Sequence, residues 1–273
     1  MLITAPPIRS RVGSLLENDT DYYKEQWGFG TWSVEIKQPQ LQISREYTPL
    51  PPNAGSPEKL RLYIRKEKGG EMSNYLWGLK EKGKLGLRGP KLGFELKEGI
   101  TDVVFLAGGT GIAPALQVAY TLLERRKYEM DQSRPKIRIL WANREREELH
   151  DENHTGISTT SNISHKIQNP VVKIITELQQ KHPGCLKVMY LVDEEGTMIN
   201  QKLISSAMKR DEKTIQRDTN TSMYSKLLFV SGPEGFVNHF AGPKKWQGGG
   251  EQQGGVGGIL GNMGITGWKV WKL

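Results

Sequence analysis

The chain has 273 residues, enough for two domains of ordinary size. Its composition, 36% hydrophobic and 25% charged, can build a core and excludes wholesale disorder, while a single cysteine excludes a disulfide framework and any four-cysteine metal site. Lys and Arg number 38 against 30 Asp and Glu, a formal net charge of +8, and no apolar run approaches the roughly 20 residues that span a bilayer.

Residues 1–24 read as a disordered leader, in which Arg9 and Arg11 resemble a transit peptide but Pro6 and Pro7 interrupt any amphipathic helix. Residues 25–99 have the texture of an antiparallel β-barrel, although its first strand is not evident in residues 1–30. Short strands are expected at Thr31–Lys37, Leu41–Thr48, Lys59–Glu67 and Lys84–Arg88, separated by Gly and Pro clusters. Residues 59–97 hold 11 basic residues against 4 acidic ones, which suits a phosphate surface but more simply a solvated strand face.

From residue 100 to 273 strands alternate with helices, which implies a parallel sheet covered on both faces. Strands are expected at Asp102–Ala107, Ile137–Ala142, Leu186–Val192 and Lys226–Ser231. Helices are expected from Pro114 to Lys127, near Ile174–Gln180 and near Ile199–Met208. Residues 144–170 and 210–225 read as surface insertions, and residues 248–264 as a flexible glycine-rich loop.

Four strings carry chemistry. Gly108-Gly109-Thr110-Gly111-Ile112-Ala113-Pro114 joins a buried strand to a helix. Its glycines allow close backbone approach to a ligand, and the helix start offers unpaired N–H groups to a phosphate. Arg45-Glu46-Tyr47-Thr48-Pro49 puts an arginine fork and an aromatic ring on one strand face, suited to a pyrophosphate and a flat ring. Gly70-Glu71-Met72-Ser73 is a turn into a helix whose N–H groups and serine suit a phosphate. Val230-Ser231-Gly232-Pro233-Glu234-Gly235-Phe236 is a strand end at the carboxyl edge of the sheet, where open α/β folds bind ligands. Each string alone also reads as plain turn or capping chemistry.

In this order the four strings resemble the ferredoxin–NADP reductase superfamily, in particular its cytochrome b5 reductase-like branch, over residues 30–273. The resemblance implies an FAD-binding β-barrel followed by an NAD(P)-binding α/β domain. Arg45 would hold the FAD pyrophosphate, Tyr47 would lie against the isoalloxazine, and Thr48 would sit near its reactive edge. Gly70, Met72 and Ser73 would surround the phosphates. Gly109, Thr110 and Gly111 would serve the pyridine nucleotide, NADH or NADPH, with Gly232 and Pro233 beside the nicotinamide. Ser231 stands on the hydride path where the family usually has cysteine, and no side chain is required as nucleophile.

The REYTPLPP, SGPEGFV and terminal tryptophan strings are similar to fungal mitochondrial flavoproteins of cytochrome c haem attachment. That similarity implies a mitochondrial oxidoreductase passing electrons from NAD(P)H through FAD to haem or a haem protein. The targeting and anchoring region of those relatives is not evident here, and peripheral association with a membrane stays open. Two readings compete: a non-catalytic assembly factor on the same fold, and a basic nucleic-acid or membrane binder resting on charge alone. Neither a nucleic-acid partner nor a metal is expected. His150 and His154 in HDENH have i, i+4 spacing but no third ligand, and Cys185 reads as a buried strand residue.

Overall fold

A computed structural model describes residues 2–5, 23–38, 40, 42–53, 59–81, 83–128, 134–149, 169–209 and 225–273. His150, His154 and most of both surface insertions lie outside the described residues, as do residues 6–22 of the leader. The chain divides into two compact units, Met1–Leu96 with Leu116–Lys127, and Lys97–Ala115 with Tyr128–Leu273.

In the first unit β2 (Gly30–Gln38) alternates strictly from Trp32 onward: Trp32, Val34, Ile36 and Gln38 are buried, and the residues between them are not. That period of two puts one face on the core and one in solvent. β2 pairs antiparallel with β3 (Ile43–Tyr47) and with β6 (Gly86–Glu95). The solvent face is a charge lattice. Ser44 donates to Glu35, Ser33 donates to Glu46 at 2.9 Å, and Lys91 bonds Glu46 at 2.5 Å. The Ser44 hydrogen bond, with Lys91 and Arg88 behind it, holds the Glu35 carboxyl below the usual carboxylate range. Two members of the basic stretch, Arg88 and Lys91, therefore belong to a solvated strand face.

A second antiparallel sheet has the order β1 (Leu2–Ala5), β5 (Leu60–Tyr63), β4 (Pro49–Leu50). Leu2–Ala5 lies inside the expected disordered leader and is instead a strand. Its partner β5 supplies a hydrogen-bonding edge that local sequence does not reveal. One core joins both sheets: Trp32, Val34 and Ile36 pack with Leu60, Leu62, and with Met72 and Leu76 of α2 (Glu71–Trp77). α1 (Gln26–Phe29) adds Trp27, edge-on to Trp32 at 5.0 Å.

α3 (Ile112–Tyr120) starts two residues before Pro114, and a π-helical turn, Thr121–Arg125, continues it. Its later part belongs to the first unit through side chains placed one turn apart. The Gln117 carbonyl accepts the Trp32 N–H at 2.9 Å, and the Thr121 hydroxyl donates to the Trp27 carbonyl at 3.0 Å. Arg126 donates to the Leu96 carbonyl.

The second unit holds a five-stranded parallel sheet in the order β13 (Lys269–Lys272), β10 (Lys226–Ser231), β7 (Asp102–Gly108), β8 (Lys136–Asn143), β9 (Leu186–Val192). Every residue of β7 is buried, as a central strand with both faces covered requires. One face, Val104, Leu106, Leu228 and Val230, packs against α5 (Gln201–Met208), α6 (Glu234–Ala241) and α7 (Gly258–Asn262). On the other, Phe105 stacks on Phe229 at 5.3 Å. α4 (Pro170–Lys181) links β8 to β9; Asn169 caps it by accepting the Val171 N–H at 2.8 Å, with Pro170 at its first position. Among the described residues no helix is long and apolar enough to cross a membrane.

The glycine-rich segment is not a free loop. It forms a hairpin, β11 (Lys245–Gln247) with β12 (Gly250–Gln252), followed by α7. Gln253 then covers the edge of β13 in the manner of a missing strand: it accepts the Lys272 N–H at 2.7 Å and donates to the Lys272 carbonyl at 2.9 Å. Lys272 is only 2% exposed, and its ammonium donates to the carbonyls of Pro243 and Gly255 at 2.9 and 2.8 Å. Burial, helped by Lys244 and Lys245, holds this ammonium below the usual lysine range.

Lys272→Met should therefore leave two carbonyls unsatisfied and lower unfolding stability by about 1–3 kcal/mol. Urea denaturation of both proteins checks this, and equal midpoints would show that the ammonium is not what holds the segment.

Candidate functional site

The first group of expected residues lies in the N-terminal unit. Strand pairing sets Arg45 opposite Ile36 and Tyr47 opposite Val34, so both belong to the face on which β2 buries its apolar side chains. Tyr47 is half-buried against the core cluster that contains Met72, while Arg45 is exposed. The Arg45 guanidinium donates to the Ser44 carbonyl at 2.8 Å, and among the described residues it meets no carboxylate. A charged fork on an otherwise apolar face, unneutralised and two residues from a half-buried phenol, is what an anionic group attached to a flat ring requires. Burial raises the Tyr47 phenol above its usual range, and Arg45 opposes that shift.

α2 brings up Gly70, Met72 and Ser73. Ser73 closes the turn before the helix, donating to the Gly70 carbonyl at 3.0 Å and accepting the Glu67 N–H at 3.1 Å. Its single proton is thus spent within the turn. A Cβ at Gly70 would lie 2.7 Å from the Ser73 hydroxyl, so glycine is what lets the turn close. No side chain caps the start of α2, which leaves its first N–H groups for an anion. Met72 points into the core and offers packing rather than a polar contact. Thr48, between β3 and β4, is partly exposed. These residues fit an FAD cradle with Arg45 as its charged member.

The second group lies in the C-terminal unit, where β7 and β10 are neighbours and Ser231 is in register with Ala107. Beyond these strand ends the chain turns into a 3₁₀ turn at Gly109–Gly111 and into α6 after Pro233. The two turns touch through backbone: a Cβ at Gly111 would lie 2.3 Å from the Ser231 carbonyl oxygen and 2.8 Å from the Gly232 nitrogen. Phe236 closes the floor, since a Cβ at Gly108 would meet its ring at 2.9 Å and one at Gly232 at 3.0 Å. The Trp141 indole N–H donates to the Gly109 carbonyl at 2.8 Å and fixes the turn from β8. Gly109, Thr110, Gly232 and Pro233 thus lie at least partly exposed at the carboxyl edge of the sheet, with Gly111 and Ser231 buried between the two turns.

Sequence reasoning missed Trp141 and Phe236. Phe236 lies inside a string already singled out and Trp141 inside an expected strand, but their roles depend on partners elsewhere in the chain. After β8, Arg146 is held in a two-pronged ion pair by Glu195.

Two families match the chain: the oxidoreductase FAD-binding domain over residues 30–96 and the oxidoreductase NAD-binding domain over residues 105–169. NADH-cytochrome b5 reductase 2 of Kluyveromyces lactis is 27% identical over 240 residues, covering 85% of this chain and 67% of that protein. The cytochrome c mitochondrial import factor CYC2 of Saccharomyces cerevisiae is 25% identical over 296 residues, covering 89% and 71%. Among solved structures, the CS-b5R domains of human Ncb5or (NAD+ form) superpose with a TM-score of 0.51 at 16% identity, covering 76% of this chain and 54% of that one. That last likeness is one of fold.

Gly111→Ala should push the two strand-end turns apart, destabilise the protein by ~1–3 kcal/mol and weaken nucleotide binding. Thermal unfolding and NADH titration together check it; a variant unchanged in both would mean that the turns tolerate separation.

Proposed function

We propose that the chain, with an FAD-binding domain followed by an NAD-binding domain, is a flavin reductase of the cytochrome b5 reductase-like type within the ferredoxin–NADP reductase superfamily. NAD(P)H is its reductant and a one-electron acceptor, haem or a haem protein, its oxidant. When bound, FAD supplies the chemistry of taking a hydride and releasing electrons singly. The protein's own residues bind and orient: Arg45 takes the pyrophosphate, Tyr47 and Thr48 border the ring, and the α2 turn takes phosphate. The Gly109–Gly111 and Ser231–Pro233 turns receive the nicotinamide half of the nucleotide.

The observation that supports this reading is Arg45, an exposed guanidinium that meets no carboxylate among the described residues, on a face otherwise given to the core. The names of the relatives, one a cytochrome b5 reductase and one a mitochondrial import factor for cytochrome c, support a haem-protein acceptor and a role in mitochondrial cytochrome c maturation. The domain division of this proposal is 25–99 for the flavin and 100–273 for the nucleotide.

The purified protein should show flavin absorption that bleaches on anaerobic addition of NADH or NADPH. Flavin that neither nucleotide bleaches would favour the non-catalytic assembly factor instead. Arg45→Ala should lose most bound FAD, because each charge-assisted contact to pyrophosphate is worth ~1.5–3 kcal/mol. Stoichiometric flavin at unchanged affinity, measured by equilibrium dialysis, would remove Arg45 from the site. Ser231→Cys should speed flavin reduction roughly threefold to tenfold in stopped-flow traces, the value of a soft sulfur contact in the transition state. An unchanged rate with FAD fully bound would take Ser231 off the hydride path.

A further inference from the structure

What orients the Gly109–Gly111 turn comes from a neighbouring strand. β8 lies between β7 and β9, and its Trp141 is in register with Ala107 on one side and Tyr190 on the other. The Trp141 side chain is fully buried, and the Tyr190 ring packs against it at 5.7 Å. Packing therefore sets the direction in which the indole points. A phenylalanine would fill such a position without a polar atom. An indole brings one N–H that needs an acceptor once buried. It finds the Gly109 carbonyl at 2.8 Å.

That oxygen has a second donor. Gly109 is at φ +53°, in the left-handed region, and the Ile112 N–H at the start of α3 also donates to its carbonyl. Both lone pairs are thus filled, one from the helix and one from β8. The peptide that follows is planar and trans, so its C=O and N–H point in opposite directions. With the oxygen held on the indole, the Thr110 N–H faces away from the Trp141 ring. Thr110 is partly exposed, and its N–H stands in a helix's first turn, where donors have no partner inside the helix. Glycines at 108, 109 and 111 give the turn access to other backbone states. Any state that turns the Gly109 carbonyl away leaves the buried indole unpaired, which is costly.

We propose that Trp141 is a positioning residue of the nucleotide site: its indole N–H selects the turn conformation in which the Thr110 N–H is presented to the bound pyridine nucleotide. The proposal rests on the nucleotide-binding reading of this unit, and adds to it a residue that, being fully buried, acts only through the Gly109 peptide. The indole acts before binding. It raises the fraction of protein whose turn is already competent, and apparent affinity scales with that fraction. Ground state and transition state share the contact, so the effect falls on KM and not on kcat.

Trp141→Phe keeps a ring in the core and removes the donor. The Gly109 oxygen retains the Ile112 N–H, so no buried polar group is orphaned. Isothermal calorimetry on the whole protein, with NAD+ and NADP+ as probes, should show whichever the native protein binds weakened about fivefold to tenfold, at unchanged FAD content. In steady-state assays KM for the reduced nucleotide should rise by about the same factor, with kcat within about twofold. A role confined to core packing predicts the reverse, a lower unfolding midpoint at intact nucleotide affinity, and that result overturns the proposal. If the variant does not fold, NMR of the native 15N-labelled protein decides. The Thr110 amide should give one signal in the free protein and shift on saturation with the nucleotide. Two exchanging Thr110 signals, or one that the nucleotide leaves unmoved, overturns the proposal. A native protein that binds neither probe overturns the nucleotide-binding reading as well, whereas native binding that the variant fully retains overturns this proposal alone.

Discussion

The backbone contact between Gly111 and the Ser231–Gly232 peptide is the constraint on which the nucleotide half of the molecule depends. Two parallel strands can end side by side only if the turns that follow them share one space. Here they share it at a separation that excludes any side chain, since a Cβ would stand 2.3 Å from a carbonyl oxygen. The glycines of the first turn and Gly232 of the second are a single solution written in two places about 120 residues apart. Phe236 from below and the Trp141 indole from β8 hold that solution in place. The price is backbone entropy, and the return is a surface of peptide groups that a ligand can approach closely.

In the N-terminal unit the organising rule is the face alternation of β2, and Arg45 is informative because it breaks that rule on the neighbouring strand. The glutamates of the outer face are answered: Glu35 by Ser44, Arg88 and Lys91, Glu46 by Ser33 and Lys91. On the inner side Arg45 is answered by a carbonyl alone. A cation on the apolar side of a sheet breaks a local rule, and functional sites are where such rules are expected to fail.

How much of this was legible in the sequence follows from what each element depends on. Lys226–Ser231 has the expected bounds because a buried parallel strand is written as a nearly continuous apolar run, and the edge strand Leu186–Val192 has them too. The glycine strings were legible for a similar reason, being short and local. β13 and the β11–β12 hairpin were not, because a glycine-rich string has no period and its order comes from Lys272 and Gln253 reaching across the chain. β1 was hidden likewise: four residues make a strand only because β5 pairs with them. Tyr47 and Arg45 were foreseen as sharing a face, but that this face is the core side depended on the register with Val34 and Ile36. Ser73 was read as a phosphate ligand, and its closure of the Glu67–Gly70 turn shows how a polar residue at a helix start is claimed first by its own backbone.

Net charge illustrates the same limit from the electrostatic side. A formal +8 suggests a surface that attracts anions indiscriminately. Yet the cations differ in what they face. Lys91 and Arg88 are spent on glutamates across strands, Arg146 on Glu195, Arg138 on the buried Asp102 at 3.2 Å, and Lys272 on two carbonyls. A paired cation contributes to the far field but forms no new contact until its partner is displaced. An unpaired one is available at once. Specific anion binding therefore follows the local pairing of each cation more closely than the total, which is why the proposed flavin site rests on Arg45, one charge among 38, and not on the sum.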